Sequence, residues 1–231
     1  MYPRGVFVRR TLVAAVCLAA ALLPAGALAG ATGGGAMTAT VYSVRADPRM
    51  CPSPMCGGFW ASRVNRTLTP CLTGVARAAC YAATVDLSAL TAPARLRAQP
   101  ALSSGRALVE GAFAHYASPF PLAKLVATRV WLSLGVQQEA GTIYRVVDTG
   151  VRCIRAPCFS LRATVVNATR SLTLSGLDLA GSGATPATIS RAHALLARGG
   201  VLVSGTIRTL AGTRIADPGR TFAATRLWLP A

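Results

Sequence analysis

The sequence predicts a mainly β protein built as two tandem β-β-β-α-β-β modules, with one short helix per repeat. Three observations lead there. One ordered set of residues occurs twice along the chain. Apolar segments of strand length, alternating with polar residues and bounded by Gly, Pro and Cys, dominate both copies. Each copy also holds one stretch with helix start and stop signals.

The repeat is read residue by residue. Tyr42-Ser43-Val44, Cys51, Cys56, Val64, Asn65 and Thr67 are answered by Tyr144-Arg145-Val146, Cys153, Cys158, Val166, Asn167 and Thr169, each pair offset by 102 positions. Val85-Asp86-Leu87 answers Leu177-Asp178-Leu179 at an offset of 92. The first copy therefore holds about ten extra residues between these blocks, bracketed by Cys71 and Cys80. Leu108-Val109-Glu110-Gly111 answers Leu202-Val203-Ser204-Gly205, and Ala127 to Leu132 answers Ala224 to Leu229.

In the second copy, Thr142 to Val147, Leu161 to Asn167 and Ser171 to Leu179 read as strands, the last broken at Gly176. Thr185-Pro186 opens a helix, because Thr caps well and Pro suits the first helical position. Ile189, Ala192, Leu195 and Leu196 share one helical face, and Gly199-Gly200 ends it. Val201 to Leu210 and Phe222 to Leu229 complete the strands. The first copy reads similarly, with a poorer helix between Ala94 and Ser104. This element order is that of an OB-like barrel; a β-sandwich is the alternative. The modules span 41–135 and 142–231, joined at Gly135–Gly141.

Residues 1–29 read as a signal peptide. Arg4, Arg9 and Arg10 precede an apolar stretch from Thr11 to Leu23, and Ala27-Leu28-Ala29 forms a small-x-small cleavage site. The apolar run is about 13 residues, whereas a membrane-crossing helix needs roughly 20, so no transmembrane anchor is expected after cleavage. Residues 30–40, rich in Gly, Ala and Thr, are expected to form a flexible lead-in. The chain is expected to be secreted, periplasmic or held at the cell surface.

Of seven cysteines, Cys17 leaves with the leader. The even number remaining in an exported chain reads as disulfides, and the repeat pairs them locally: Cys51–Cys56, Cys71–Cys80 and Cys153–Cys158. No metal is expected, since the second copy has only two cysteines and no histidine beside them. The formal charge of +17 is almost all arginine. Anionic surfaces or polysaccharides, or an unknown protein, are the expected partners. No basic run interleaved with aromatics favours nucleic acid.

The tyrosines, the paired C-x4-C turns, Cys56-Gly57-Gly58-Phe59, Val64-Asn65, Cys80-Tyr81 and Arg152 to Ser160 together resemble an uncharacterised family of exported bacterial proteins, a domain of unknown function. The resemblance covers most of 41–231. It implies export and a duplicated, Cys-stapled module, and carries no catalytic residue.

No catalytic residue or cofactor is assigned. His115 and His193 do not recur between copies, and no G-x-S-x-G, H-E-x-x-H or phosphate-binding glycine loop is present. The sequons at Asn65 and Asn167 read as turn residues. The recurrence with chemical content is Arg129-Val130-Trp131 and Arg226-Leu227-Trp228. Residues two apart on a strand share a face, so each copy sets Arg beside Trp. Arg129, Trp131, Arg226 and Trp228 are a candidate binding face; the competing role is a core stack with Arg covering Trp. The sequence thus reads as a non-enzymatic exported binding or structural module. One alternative is an inhibitor of secreted proteases acting through Thr69–Ala79. The other is a hydrolytic enzyme using Asp86, Asp178 or His115.

The leader reading sets the mature N-terminus at Gly30. N-terminal sequencing of exported protein should begin there; material still carrying residues 1–10 contradicts it.

Overall fold

Alternation of apolar and polar side chains sets the strands of this chain, and Gly, Pro and Asn set its turns. The structure, a computed structural model, describes residues 39–134, 141–209 and 218–231. The expected leader at 1–29, nearly all of the expected lead-in at 30–40 and nearly all of the expected junction at Gly135–Gly141 lie outside the described residues. The described residues belong to one unit, Ala36–Ala231.

The first half runs β1 (Thr40–Ala46), β2 (Phe59–Arg63), β3 (Thr69–Pro70), β4 (Ala76–Arg77), β5 (Cys80–Ala82), β6 (Val85–Asp86), α1 (Ala92–Ser103), β7 (Ala107–His115) and β8 (Ala123–Leu134). The second runs β9 (Ile143–Asp148), β10 (Leu161–Val165), β11 (Ser171–Leu174), β12 (Gly176–Asp178), a 3-10 turn at Ala180–Ser182, α2 (Pro186–Leu196), β13 (Val201–Thr209) and β14 (Arg220–Pro230). The helices follow their signals. Thr185 caps α2 by accepting from the Thr188 amide, with Pro186 in the first turn. α1 is the weaker one, with no side-chain cap and Pro100 inside it. It seats Ala94, Ala98 and Leu102 against the sheet while Leu96 stays exposed.

The strands form one large, mainly antiparallel sheet in the order β11-β10-β9-β13-β14-β8-β7-β1-β2-β5, and this path is not closed. Two short strands lie off it: β6 pairs in parallel with β8, and β12 in parallel with β14. β3 and β4 make a separate two-stranded ribbon. The expected strand Ser171 to Leu179 is therefore two, and the break falls at Ser175, one residue before Gly176. On one side β11 continues beside β10; on the other β12 turns to β14.

The halves meet where β8 and β14 pair antiparallel, with Ser133 opposite Trp228 and Trp131 opposite Pro230. Alternation then largely buries both faces of the paired segments, Trp131–Leu134 and Leu227–Pro230. Val130 points into a core with Val109 and Leu125. Leu227 points into a core with Leu174 and Phe222. The alternate residues, Trp131 and Trp228, fill a third core. Each half gives it four residues: Val41, Val64, Leu108 and Trp131 from the first, Ile143, Val166, Leu202 and Trp228 from the second. Both long hairpins, β7–β8 and β13–β14, carry a bulge at corresponding glycines, Gly111 and Gly205. A Cβ there would collide with the backbone carbonyls of Val126 and Ala223 respectively.

Reciprocal asparagine bonds close the third core. Asn65 and Asn167 follow β2 and β10 with positive φ, 57° and 60°, a conformation asparagine tolerates well. Asn65 Oδ1 accepts from the Ile143 amide at 2.9 Å, and its Nδ2 donates to the Ile143 and Val166 carbonyls. Asn167 mirrors it: Oδ1 accepts from the Val41 amide at 2.9 Å, and Nδ2 donates to the Val41 and Val64 carbonyls. Each side-chain amide thus acts as one rung of sheet laid against the other half. The turn role expected for these residues is present, and they also join the halves.

Glycine keeps the positive φ, so Asn65→Gly and Asn167→Gly should expose the worth of the bonds alone. Each is expected to cost about 2–4 kcal/mol, since three bonds are lost and backbone groups are left unpaired. Denaturant unfolding of the two variants checks this; a loss below about 1 kcal/mol in both means that apolar packing alone joins the halves.

Candidate functional site

At the expected Arg/Trp binding face the structure places the two indoles inside and the two arginines over them. Trp131 and Trp228 are 0% and 2% exposed, so neither indole presents a surface to a partner. The physical reason is that the paired segments of β8 and β14 are buried on both faces, which leaves no solvent face there for a large ring. The arginines cover the rings as stacks: Arg129 lies 5.3 Å and Arg145 5.2 Å from the Trp131 ring, and Arg226 4.5 Å from Trp228. Arg129 is exposed and Arg226 half-buried, as the scarcity of buried acids requires. Emptying either indole site would cost about 3–5 kcal/mol.

One acid does reach this region. Glu110, 9% exposed, accepts from Trp131 Nε1 at 3.0 Å and from Arg145 at 2.7 Å. Arg145 sits on β9, so the pair ties the halves together. The corresponding second-half residue is Ser204, whose buried hydroxyl makes no hydrogen bond among the described residues. The two halves give matching apolar residues to the third core and differ in this charge.

The three local disulfides are Cys51–Cys56, Cys71–Cys80 and Cys153–Cys158, with Cα separations of 5.3, 5.5 and 5.5 Å. The first staples the β1–β2 loop, and a polar cluster fastens that loop to the sheet. Asp47, at the end of β1, has a fully buried side chain. It accepts from the Arg49 amide, from Arg49 Nε and from Trp60 Nε1 at 3.1 Å. The Arg49 guanidinium donates on to the Met55 carbonyl and lies 5.1 Å from both the Trp60 and Tyr81 rings. Those rings, cross-strand partners on β2 and β5, meet edge to face at 5.5 Å. The Tyr81 hydroxyl donates to the Pro54 carbonyl and accepts from the Gly58 amide.

Beside these rings lies a cleft of about 500 Å³. Trp60 and Tyr81 line it from the sheet, His115 from the end of β7, and Pro121 and Leu122 from the β7–β8 loop. The insertion clipped by Cys71–Cys80 forms its far wall with Leu72 and Arg77. The Thr69–Ala79 loop is thus a short hairpin, β3–β4, built into a cleft wall. Sequence reasoning missed this site. Its signal was present: Trp60 is the one tryptophan that the repeat does not copy, since Arg162 occupies its place on β10. Thr173 on β11 pairs with Arg162 just as Tyr81 pairs with Trp60.

The groups considered for hydrolysis are dispersed. Asp86 forms an ion pair with Lys124 at 2.8 Å in a second cleft of about 420 Å³, which Arg95, Gln99 and Tyr116 also line. The Lys124 ammonium and the Ser88 donors hold the Asp86 carboxyl far below the usual carboxylate range. Asp178 accepts from the Ala180 amide, and His193 is exposed on α2. Among the described residues no group of three or more His, Cys, Asp or Glu is placed to hold a metal ion. No described helix is long and apolar enough to cross a membrane.

Fold and site together define a disulfide-clipped, mainly β domain with an aromatic and arginine-lined cleft. The chain belongs to a family described as a domain of unknown function (DUF6748), whose model matches residues 40–231. No curated protein and no solved structure matches the chain.

Arg49, more than any other group, holds the Asp47 carboxyl down at about 2, against an ordinary 3.8. A depressed carboxyl contributes stability that is complete above the unfolded value and is lost as pH falls through the folded one. The Trp60 environment should therefore hold from neutral pH to about 4 and change as pH falls toward about 2. The difference in emission between the parent and Trp60→Phe proteins reads this directly. Asp47→Asn should remove the acid transition; a transition that persists in that variant assigns it to another carboxyl.

Proposed function

We propose that this chain is an exported, non-enzymatic binding module made of two tandem OB-type barrels, acting outside the cytoplasm on an anionic surface or polysaccharide. Support for the barrel reading comes from the short parallel strands. β5 and β6 are separated only by Ala83 and Thr84; read as one bent strand, they lead from β2 across to β8. The first half then runs β1-β2-β5/β6-β8-β7 and back to β1, the OB order. β11 and β12, parted by Ser175, do the same between β10 and β14. The matching order and the offset residues support duplication of one ancestral unit.

The observation that carries the functional reading is the placement of the Arg49–Trp60–Tyr81 cluster and its cleft. In OB barrels the face of the second and third strands, with the loops beside it, holds oligosaccharides and oligonucleotides. That step is analogy of fold, which the residues of the cleft make specific. The disulfides favour an oxidising compartment. The excess of arginine supplies attraction to anions.

The oxidised protein should be retained on an immobilised acidic polysaccharide at low salt and released as salt rises, with no product formed from the ligand. Equal retention on acidic and neutral matrices, or release of soluble fragments, overturns the reading.

A further inference from the structure

We infer that the cleft between the Cys71–Cys80 hairpin and the end of β7 is a binding site for an acidic sugar unit, a uronate or sulfated residue of a polysaccharide. The inference rests on the binding-module reading and assigns it a place and a ligand chemistry.

The floor is aromatic. Both hydrogen-bonding capacities of the Tyr81 hydroxyl are taken up by Pro54 and Gly58, and Trp60 Nε1 is taken up by Asp47. These rings therefore offer a π surface, not donors, to whatever enters. Such surfaces attract the weakly positive C–H faces of sugar rings through the quadrupole. Their edge-to-face contact and the Arg49 bridge hold both rings in place before any ligand arrives. Little side-chain freedom is then lost on binding.

The walls set the Arg77 guanidinium among neutral side chains such as Leu72, Thr73 and Leu122. Arg77 and His115 both line the cleft from exposed positions. No Asp or Glu stands among the described residues lining it. An incoming carboxylate or sulfate meets a guanidinium fork without a competing internal acid. The volume, about 500 Å³, suits one or two sugar units and not an extended strand. A single-stranded nucleic acid would need successive rings along a basic track. The second half lacks the rings, with Arg162 and Thr173 in their place.

The experiment uses the purified, oxidised protein and its own fluorescence. Trp131 and Trp228 are buried, so Trp60 is the indole at the cleft. Titration with a galacturonate oligomer should change Trp60 emission saturably. A maltose oligomer of equal length should bind at least about tenfold more weakly, the effect of one lost charge-assisted contact. Arg77→Ala should weaken galacturonate binding by about tenfold. Leu72→Glu, which sets a carboxylate in the wall, should weaken it further. Both changes are on the hairpin, away from the shared core, and thermal melts confirm the fold. Galacturonate binding that is unchanged in both variants overturns the cleft assignment while leaving the binding module standing. Absence of binding by any anionic polymer overturns both. Tighter binding of oligodeoxythymidylate than of galacturonate, sensitive to the same variants, replaces the sugar with nucleic acid.

Discussion

Two asparagine side chains, each held at positive φ after an outward strand, reach across to the backbone of the opposite half. Their amides both satisfy a strand end and bring the two edges of a shared core together. The bonds span 78 to 126 residues of sequence. Around them, Val41, Val64, Ile143 and Val166 shelter the two indoles from water. The β8–β14 pairing then has a dry face on each side. If the clamp opened, the indoles and four aliphatic residues would be exposed together, so polar geometry and apolar burial stand or fall as one.

That constraint also explains where the arginines are. A strand buried on both faces has no site for a cation except at its margins, and Arg129 and Arg226 lie there with their guanidinium groups over the rings. Arg129 keeps its charge in contact with water there, whereas burial partly desolvates Arg226 over its ring. Glu110 completes the arrangement in one half only, by taking Arg145 from the other. The loops far from the shared core, by contrast, are free to diverge. The first half carries an insertion, a second disulfide and an aromatic floor; the corresponding region of the second half carries Arg162 and Thr173.

Much of the architecture was legible because repetition and periodicity are local signals. The order of strands, both helices and the disulfide partners follow from residues that recur at fixed offsets or at short separation. The break at Ser175 was misplaced by one residue because either side of it is β in character; which partner each piece joins is a tertiary fact. The face of Trp131 was ambiguous for a similar reason. Alternation says that it opposes Val130, and it cannot say that a second sheet face is also buried. Asn65 looked like a turn residue because its partners, Ile143 and Val166, lie far away in sequence. The cleft was hidden because its rings, its hairpin and His115 come from four segments, and only the uncopied Trp60 marked it.

The disulfides join cysteines that are neighbours in chain order, five, nine and five residues apart. Contacts of such short span form early and at little entropic cost, whereas the asparagine bonds must wait for Ile143 to Asn167, and the shared core for Trp228 on β14, the last strand in sequence. A chain that emerges N-terminus first presents the correct partner as the next thiol after Cys51, Cys71 or Cys153, and a pair that has already closed offers no free thiol to a later cysteine. Its covalent pattern can be complete while its halves are still apart. Oxidation and assembly are thereby separated in time, and a mispaired intermediate, the usual hazard of a protein with several cysteines, has little opportunity to arise.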